Sequence, residues 1–97
     1  MSIWRKKPVV VEAKCWQPGD LERAGEVVGW LMACGADFHH PSGLGDTTTL
    51  AIQTLEGEMT AQPGDWIVKG TRGEFYPVKP DVFADTYEPT DDGEAPQ

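Results

Sequence analysis

A chain of 97 residues has room for one hydrophobic core and little more. Some 39% of it is apolar, enough for a small core whose stability is expected to draw on self-association, so a homo-oligomer is expected. The formal net charge of −8 excludes general nucleic-acid binding, which needs clustered Lys and Arg to neutralise phosphates, and apolar runs such as 9–11 are far too short to span a bilayer.

The first seven residues are a short basic lead carrying Trp4, Arg5, Lys6 and Lys7. Pro8 opens an extended run over 9–16, whose β-branched start predicts a strand. Alternation places Val9, Val11, Ala13 and Cys15 on one face and Val10, Glu12, Lys14 and Trp16 on the other. Pro18-Gly19 ends the run. Asp20 is suited to cap a helix, and Glu22 to sit in its positive first turn. Leu21, Ala24, Val27, Val28, Leu31 and Met32 recur at helical spacing as one apolar stripe, and Gly35 is a natural stop. Gly25 and Gly29 form a flat groove on this helix, expected to pack against the sheet rather than a ligand or subunit.

Residues 36–48 read as a loop with one short strand at 37–40. Residues 49–55 and 58–61 predict a hairpin across Glu56-Gly57, with Leu50, Ile52, Thr54, Met59 and Ala61 on one mostly apolar face. Pro63-Gly64-Asp65 makes the next reversal. A second hairpin is expected from 66–69 and 74–78, turning through 70–73. With Thr71-Arg72 as the turn, Lys69 faces Glu74, Val68 faces Phe75 and Ile67 faces Tyr76. Trp66 and Phe75 then share a face with Val68 as core. Lys79-Pro80-Asp81 reads as a turn and 82–88 as a final strand. The expected fold class is α+β: a single small domain over 1–88, with one helix packed on a bent, mainly antiparallel sheet of five to six strands. Residues 89–97 (PTDDGEAPQ) are acidic and lack large apolar groups, so they are expected to be a disordered tail.

WRKKPVVVEA (4–13), taken with TLEGEMTAQPGDWIVKGTRGEFYPVKPDVFADTYE (54–88), resembles a family of small proteins encoded by tailed phages and prophages. The PGDW–GEFYP stretch is similar to the PGDYG-type domain. The resemblance covers roughly half the chain, at both ends of its ordered part. It implies a phage protein working in the bacterial host cytoplasm, and it carries over no catalytic residues. Small accessory phage proteins often bind a host protein or capture a host small molecule, including nucleotide signals of antiphage defence.

No residue set looks like a catalytic apparatus, and no cofactor is called for. Adjacent His39 and His40 would point to opposite faces of a strand, and no second cluster has metal-ligand spacing, so no metal site is expected. Cys34 near His39 resembles a nucleophile–base pair, but a buried structural cysteine is the preferred reading. The two cysteines, Cys15 and Cys34, belong to no CxxC pair and are expected to be reduced and buried in a cytoplasm. Asp65 is expected to bond its own turn backbone. The glycines of 43–45 and 70–73 lack the strand-to-helix context of a phosphate loop.

The basic–aromatic set is the best functional candidate. Residues 62–88 hold three of the eight cations and five of the nine aromatics. Arginine forks onto phosphate while an aromatic face stacks on a base, which holds a nucleotide without catalysis. On this reading Trp4 and Tyr76 stack, and Arg5, Lys6, Arg72 and Lys79 meet phosphate, across a subunit interface if the two clusters meet there. The expected function is a non-enzymatic binding protein that sequesters an anionic, nucleotide-like small molecule. The alternative is a protein-interaction module, either a host-factor inhibitor or an assembly accessory, using its acidic surface and tail.

Overall fold

The computed structural model describes residues 1–4, 9–41 and 48–89. In chain order these form β1 (Glu12–Cys15), α1 (Leu21–Ala33), β2 (Phe38–His39), β3 (Leu50–Thr54), β4 (Gly57–Ala61), β5 (Trp66–Lys69), β6 (Phe75–Val78) and α2 (Pro80–Thr86). The fold is α+β, as read from the sequence. It differs in detail: the described residues form two helices, and their strands split into two antiparallel three-stranded sheets, β1-β5-β6 and β2-β3-β4. The sheets meet where β6 packs against β3 and β4.

Local chemistry sets α1. Asp20 Oδ1 accepts the backbone N–H groups of Glu22 and Arg23 at 3.1 and 3.2 Å. At the other end Gly35, at φ +74°, donates to Met32 O while Ala36 donates to Leu31 O. That pair of bonds is a Schellman stop, which satisfies carbonyls that the helix leaves open. Val27 and Leu31 are buried, with Ala24, Val28 and Trp30 packed around them. Leu21 and Met32, at the margins of the stripe, stay in solvent. Gly25 and Gly29 are exposed, and a Cβ at either would meet nothing within 4 Å. Their expected packing against the sheet is therefore absent, because the buried side of the helix is the one carrying Val27 and Leu31.

The core joins both sheets and α1: Trp16, Val27, Leu31, Leu50, Ile52, Ala61, Ile67 and Phe75 form one buried cluster. Trp16 sits at the junction. Its indole Nε1 donates to Thr48 O at 2.8 Å, and its backbone pairs with Asp65 O and Gly64 N–H. The β3–β4 register, Leu50↔Ala61 and Ile52↔Met59, keeps the expected apolar face. The turn residues are Leu55-Glu56 rather than Glu56-Gly57, since Thr54 pairs Gly57.

The second hairpin slips by one residue from the expected register. Lys69 pairs Phe75, Val68 pairs Tyr76, Ile67 pairs Pro77 and Trp66 pairs Val78. Glu74 belongs to the turn instead: its carbonyl accepts Gly70 N–H, and its carboxylate accepts Arg72 N–H at 3.0 Å. Because side chains alternate along a strand, this slip moves Phe75 onto the core face with Ile67 and leaves Trp66 with Val68 on the other face. Pro77, lacking an N–H, is tolerated because β6 is an edge strand of its sheet.

The expected final strand is instead α2. Pro80 occupies the first turn, where a missing N–H costs nothing, and Asp81 suits the positive end. Phe83 then stacks on Trp66 at 4.3 Å and on Tyr87 at 4.9 Å. This aromatic stack covers the face of β5 opposite α1, where Val68 is fully buried. The tail at 90–97 and the glycine-rich 43–45 lie outside the described residues.

Candidate functional site

Of the six predicted site residues, Trp4, Arg72, Tyr76 and Lys79 fall among the described residues. Trp4 is 88% exposed. Arg5 and Lys6, with Lys7, lie outside the described residues. Arg72 is exposed in the β5–β6 turn, held there by its backbone N–H on Glu74, and its guanidinium has no partner among the described residues. Lys79 follows β6 at the opposite end of the hairpin. The four residues of β6 alone separate the two cations by roughly 13 Å at the usual rise per residue.

Lys79 and Tyr76 already have structural partners. Lys79 Nζ sits 3.1 Å from Asp65 Oδ2, and Asp65 is only 3% exposed. The same oxygen accepts Gln62 N–H at 2.8 Å, closing the PGD turn as expected for Asp65. Tyr76 shares a hydrogen bond of 3.2 Å with the Tyr87 hydroxyl. Burial, that hydrogen bond and the nearby Tyr87 and Glu74 push the Tyr76 phenol up to about 12, so it stays neutral.

The histidines and cysteines disperse too. His39 Nε2 lies 3.6 Å from Glu58 Oε1, whereas His40 Nδ1 is 3.0 Å from Thr49 O. Cys34 is exposed, 3.7 Å from Lys69 Nζ, and Cys15 is half-buried with its Sγ 3.6 Å from Gly64 O. Both thiols are free, but the expectation that both are buried fails: Cys34 is the helix-capping residue of α1 and faces solvent. Among the described residues no helix is long and apolar enough to cross a membrane.

Where the sheets meet they leave a groove of about 260 Å³ that sequence reasoning missed. Its apolar walls are Leu55 and Met59 from the β3–β4 hairpin and Phe75, Tyr76 and Pro77 from β6. The two-residue turn forms one rim of it. Thr54 Oγ1 donates to Gly57 O at 2.7 Å and accepts Glu56 N–H at 3.0 Å, while Gly57 takes φ +103°. The tightened turn thrusts Leu55 outward, leaving it 72% exposed. Glu56 and Glu74 also line the groove, the Glu74 carboxylate being bonded to Arg72 N–H at its edge. A second concavity of about 240 Å³ beside α1 mixes Lys14 and Arg23 with Glu26. Lys14 Nζ already lies over the Trp30 ring, 5.6 Å from its centroid.

The groove thus combines an apolar lining with two glutamates. Its volume lies below the roughly 300–1,000 Å³ usual for small-molecule sites, and its carboxylates repel phosphate. Set against known proteins, the chain matches no family model, no curated protein and no solved structure.

Proposed function

We propose that this chain is a phage-encoded, non-enzymatic binding protein of the bacterial host cytoplasm, and that it binds another protein, of host or phage. The observation that carries this reading is the groove between the β3–β4 turn and β6. It presents exposed Leu55 and partly exposed Met59 beside two carboxylates. Exposed apolar side chains collected in a concave site gain most by covering, since each buried aliphatic side chain contributes about 1.5–3 kcal/mol. Affinity capture from host lysate with the wild-type chain and with Leu55→Glu tests it. A partner held by wild type and lost by the variant is expected; equal retention by both removes the groove from the interface.

Anion capture is the second reading, favoured by the exposure of Trp4 and by the guanidinium of Arg72, which has no partner among the described residues. In that case Trp4, Arg5 and Lys6 would join Arg72 across a subunit interface, with Tyr76 and Lys79 released from their present partners to help. Native mass spectrometry after incubation with a nucleotide pool decides it. A discrete added mass lost in Arg72→Ala would establish capture, and no added mass would leave the protein-binding reading alone. Deleting 89–97 separates the two further: the acidic tail should speed association with a basic protein partner and be dispensable for a small anion.

A further inference from the structure

We propose that the groove between the β3–β4 turn and β6 is filled by the N-terminal arm of a second copy of this chain, with Trp4 as its anchor, so that two chains exchange arms reciprocally. The inference rests on the reading of that groove as a protein-docking site and names its occupant.

The described start of the arm, residues 1–4, lies in solvent. Met1, Ile3 and Trp4 are 114%, 92% and 88% exposed. An aromatic side chain left in water while an apolar groove stands open is an unused source of association energy, and Trp is enriched among the residues that anchor protein interfaces. The groove is sized for one or two side chains and is walled by Leu55, Met59, Phe75, Tyr76 and Pro77.

Charge selects the same partner. Two copies that each carry −8 repel one another, so self-association needs a cationic element. In the sequence Trp4 runs directly into Arg5, Lys6 and Lys7, three of the eight cations of the chain. The groove holds Glu56 and Glu74. An apolar anchor followed by positive charge therefore meets an apolar recess carrying negative charge.

Topology favours a closed pair. Glu12 pairs Lys69 and Lys69 pairs Phe75, so the start of β1 and a groove residue lie in one row across the sheet. Arm root and groove thus share one end of the molecule. Seven residues separate Trp4 from β1, a reach of roughly 26 Å when extended. When each copy offers its arm and its groove from the same end, a two-fold axis satisfies both at once, and the assembly closes as a dimer. A host or phage segment of the same apolar-then-basic chemistry would compete with the arm for the groove.

Native mass spectrometry and sedimentation equilibrium on the full chain test this. The wild type is expected at twice the monomer mass of 10.6 kDa. Trp4→Ala and Leu55→Glu alter residues that are 88% and 72% exposed, so both variants should fold. Each should weaken dimerisation roughly thirtyfold or more, the effect of losing an aromatic anchor or its pocket. Mixing the two variants should restore a heterodimer, because one intact arm then meets one intact groove. A labelled peptide, MSIWRKK, should bind the Trp4→Ala chain. A wild-type monomer alongside peptide binding would overturn arm exchange and leave the groove reading standing. Absence of both dimer and peptide binding would overturn the two together. A dimer untouched by Trp4→Ala would place the contact elsewhere and refute the proposal.

Discussion

Replacing Asp65 by Ala removes a carboxylate that is 3% exposed and serves two donors, Gln62 N–H at 2.8 Å and Lys79 Nζ at 3.1 Å. The two bonds are unequal in worth. Gln62 N–H is part-buried in the PGD turn, and a hydrogen bond to a charged acceptor contributes about 1.5–3 kcal/mol. Lys79 is 60% exposed, so its pairing is screened and worth at most about 1 kcal/mol. Asp65→Ala should therefore destabilise by about 2–4 kcal/mol, Lys79→Met by less than about 1, and the coupling between them should stay below about 1 kcal/mol. Denaturant titration of the two single variants and the double variant reads all three quantities. For a domain of this size the thermal midpoint of Asp65→Ala should fall by roughly 8–30 °C. Should Lys79→Met cost as much as Asp65→Ala, the ion pair rather than the turn would anchor Asp65, and the reasoning would fail. The result also bears on function, because a weakly coupled Lys79 is free to turn to an anion and a strongly coupled one is not.

Three further predictions follow from the packing. Gly25→Ala with Gly29→Ala should raise stability by roughly 1–2 kcal/mol in thermal unfolding, since both lie exposed inside α1 with nothing within 4 Å; a loss would show that this face is covered. Phe83→Ala should cost roughly 1–3 kcal/mol and change the emission of Trp66, whose ring it covers at 4.3 Å; an unchanged spectrum would contradict the stack. The folded-state pKa of Tyr76, about 12, lies above its ordinary 10.0, so its contribution to stability is complete below pH 10 and is lost as pH rises towards 12. Alkaline unfolding should thus be less steep in Tyr76→Phe, and an identical slope in both chains would refute the burial assigned to that phenol.

What the sequence makes legible is mostly local. The α1 helix is written in Asp20, a repeat of apolar residues and Gly35, each acting within a turn or two of its neighbours. The PGD reversal and the apolar face of β3–β4 are legible for the same reason. The α2 helix is not. Val82, Phe83 and Tyr87 favour strands, and the deciding contact is Phe83 on Trp66, which no local pattern encodes. The register of β5–β6 turns on one side chain, since Glu74 folds back to Arg72 N–H and lengthens the turn. Among the site residues, the ion pair of Lys79 with Asp65 and the bond of Tyr76 to Tyr87 join positions 14 and 11 apart through tertiary packing. The groove is less legible still, because Leu55 and Pro77 come together only when two sheets meet. In the sequence Leu55 reads as the last residue of the 49–55 strand, and only the shifted turn puts it in solvent.

The central claim is that this groove is a protein-docking site, and a photo-crosslinking side chain at position 55 tests it most directly. A second chain carrying the probe at position 25, exposed on the outer face of α1, serves as the control. The account predicts one discrete adduct at position 55, its attachment mapping to an apolar-then-basic segment such as the arm of a second copy, and little adduct at position 25. Diffuse labelling equal at both positions would contradict it.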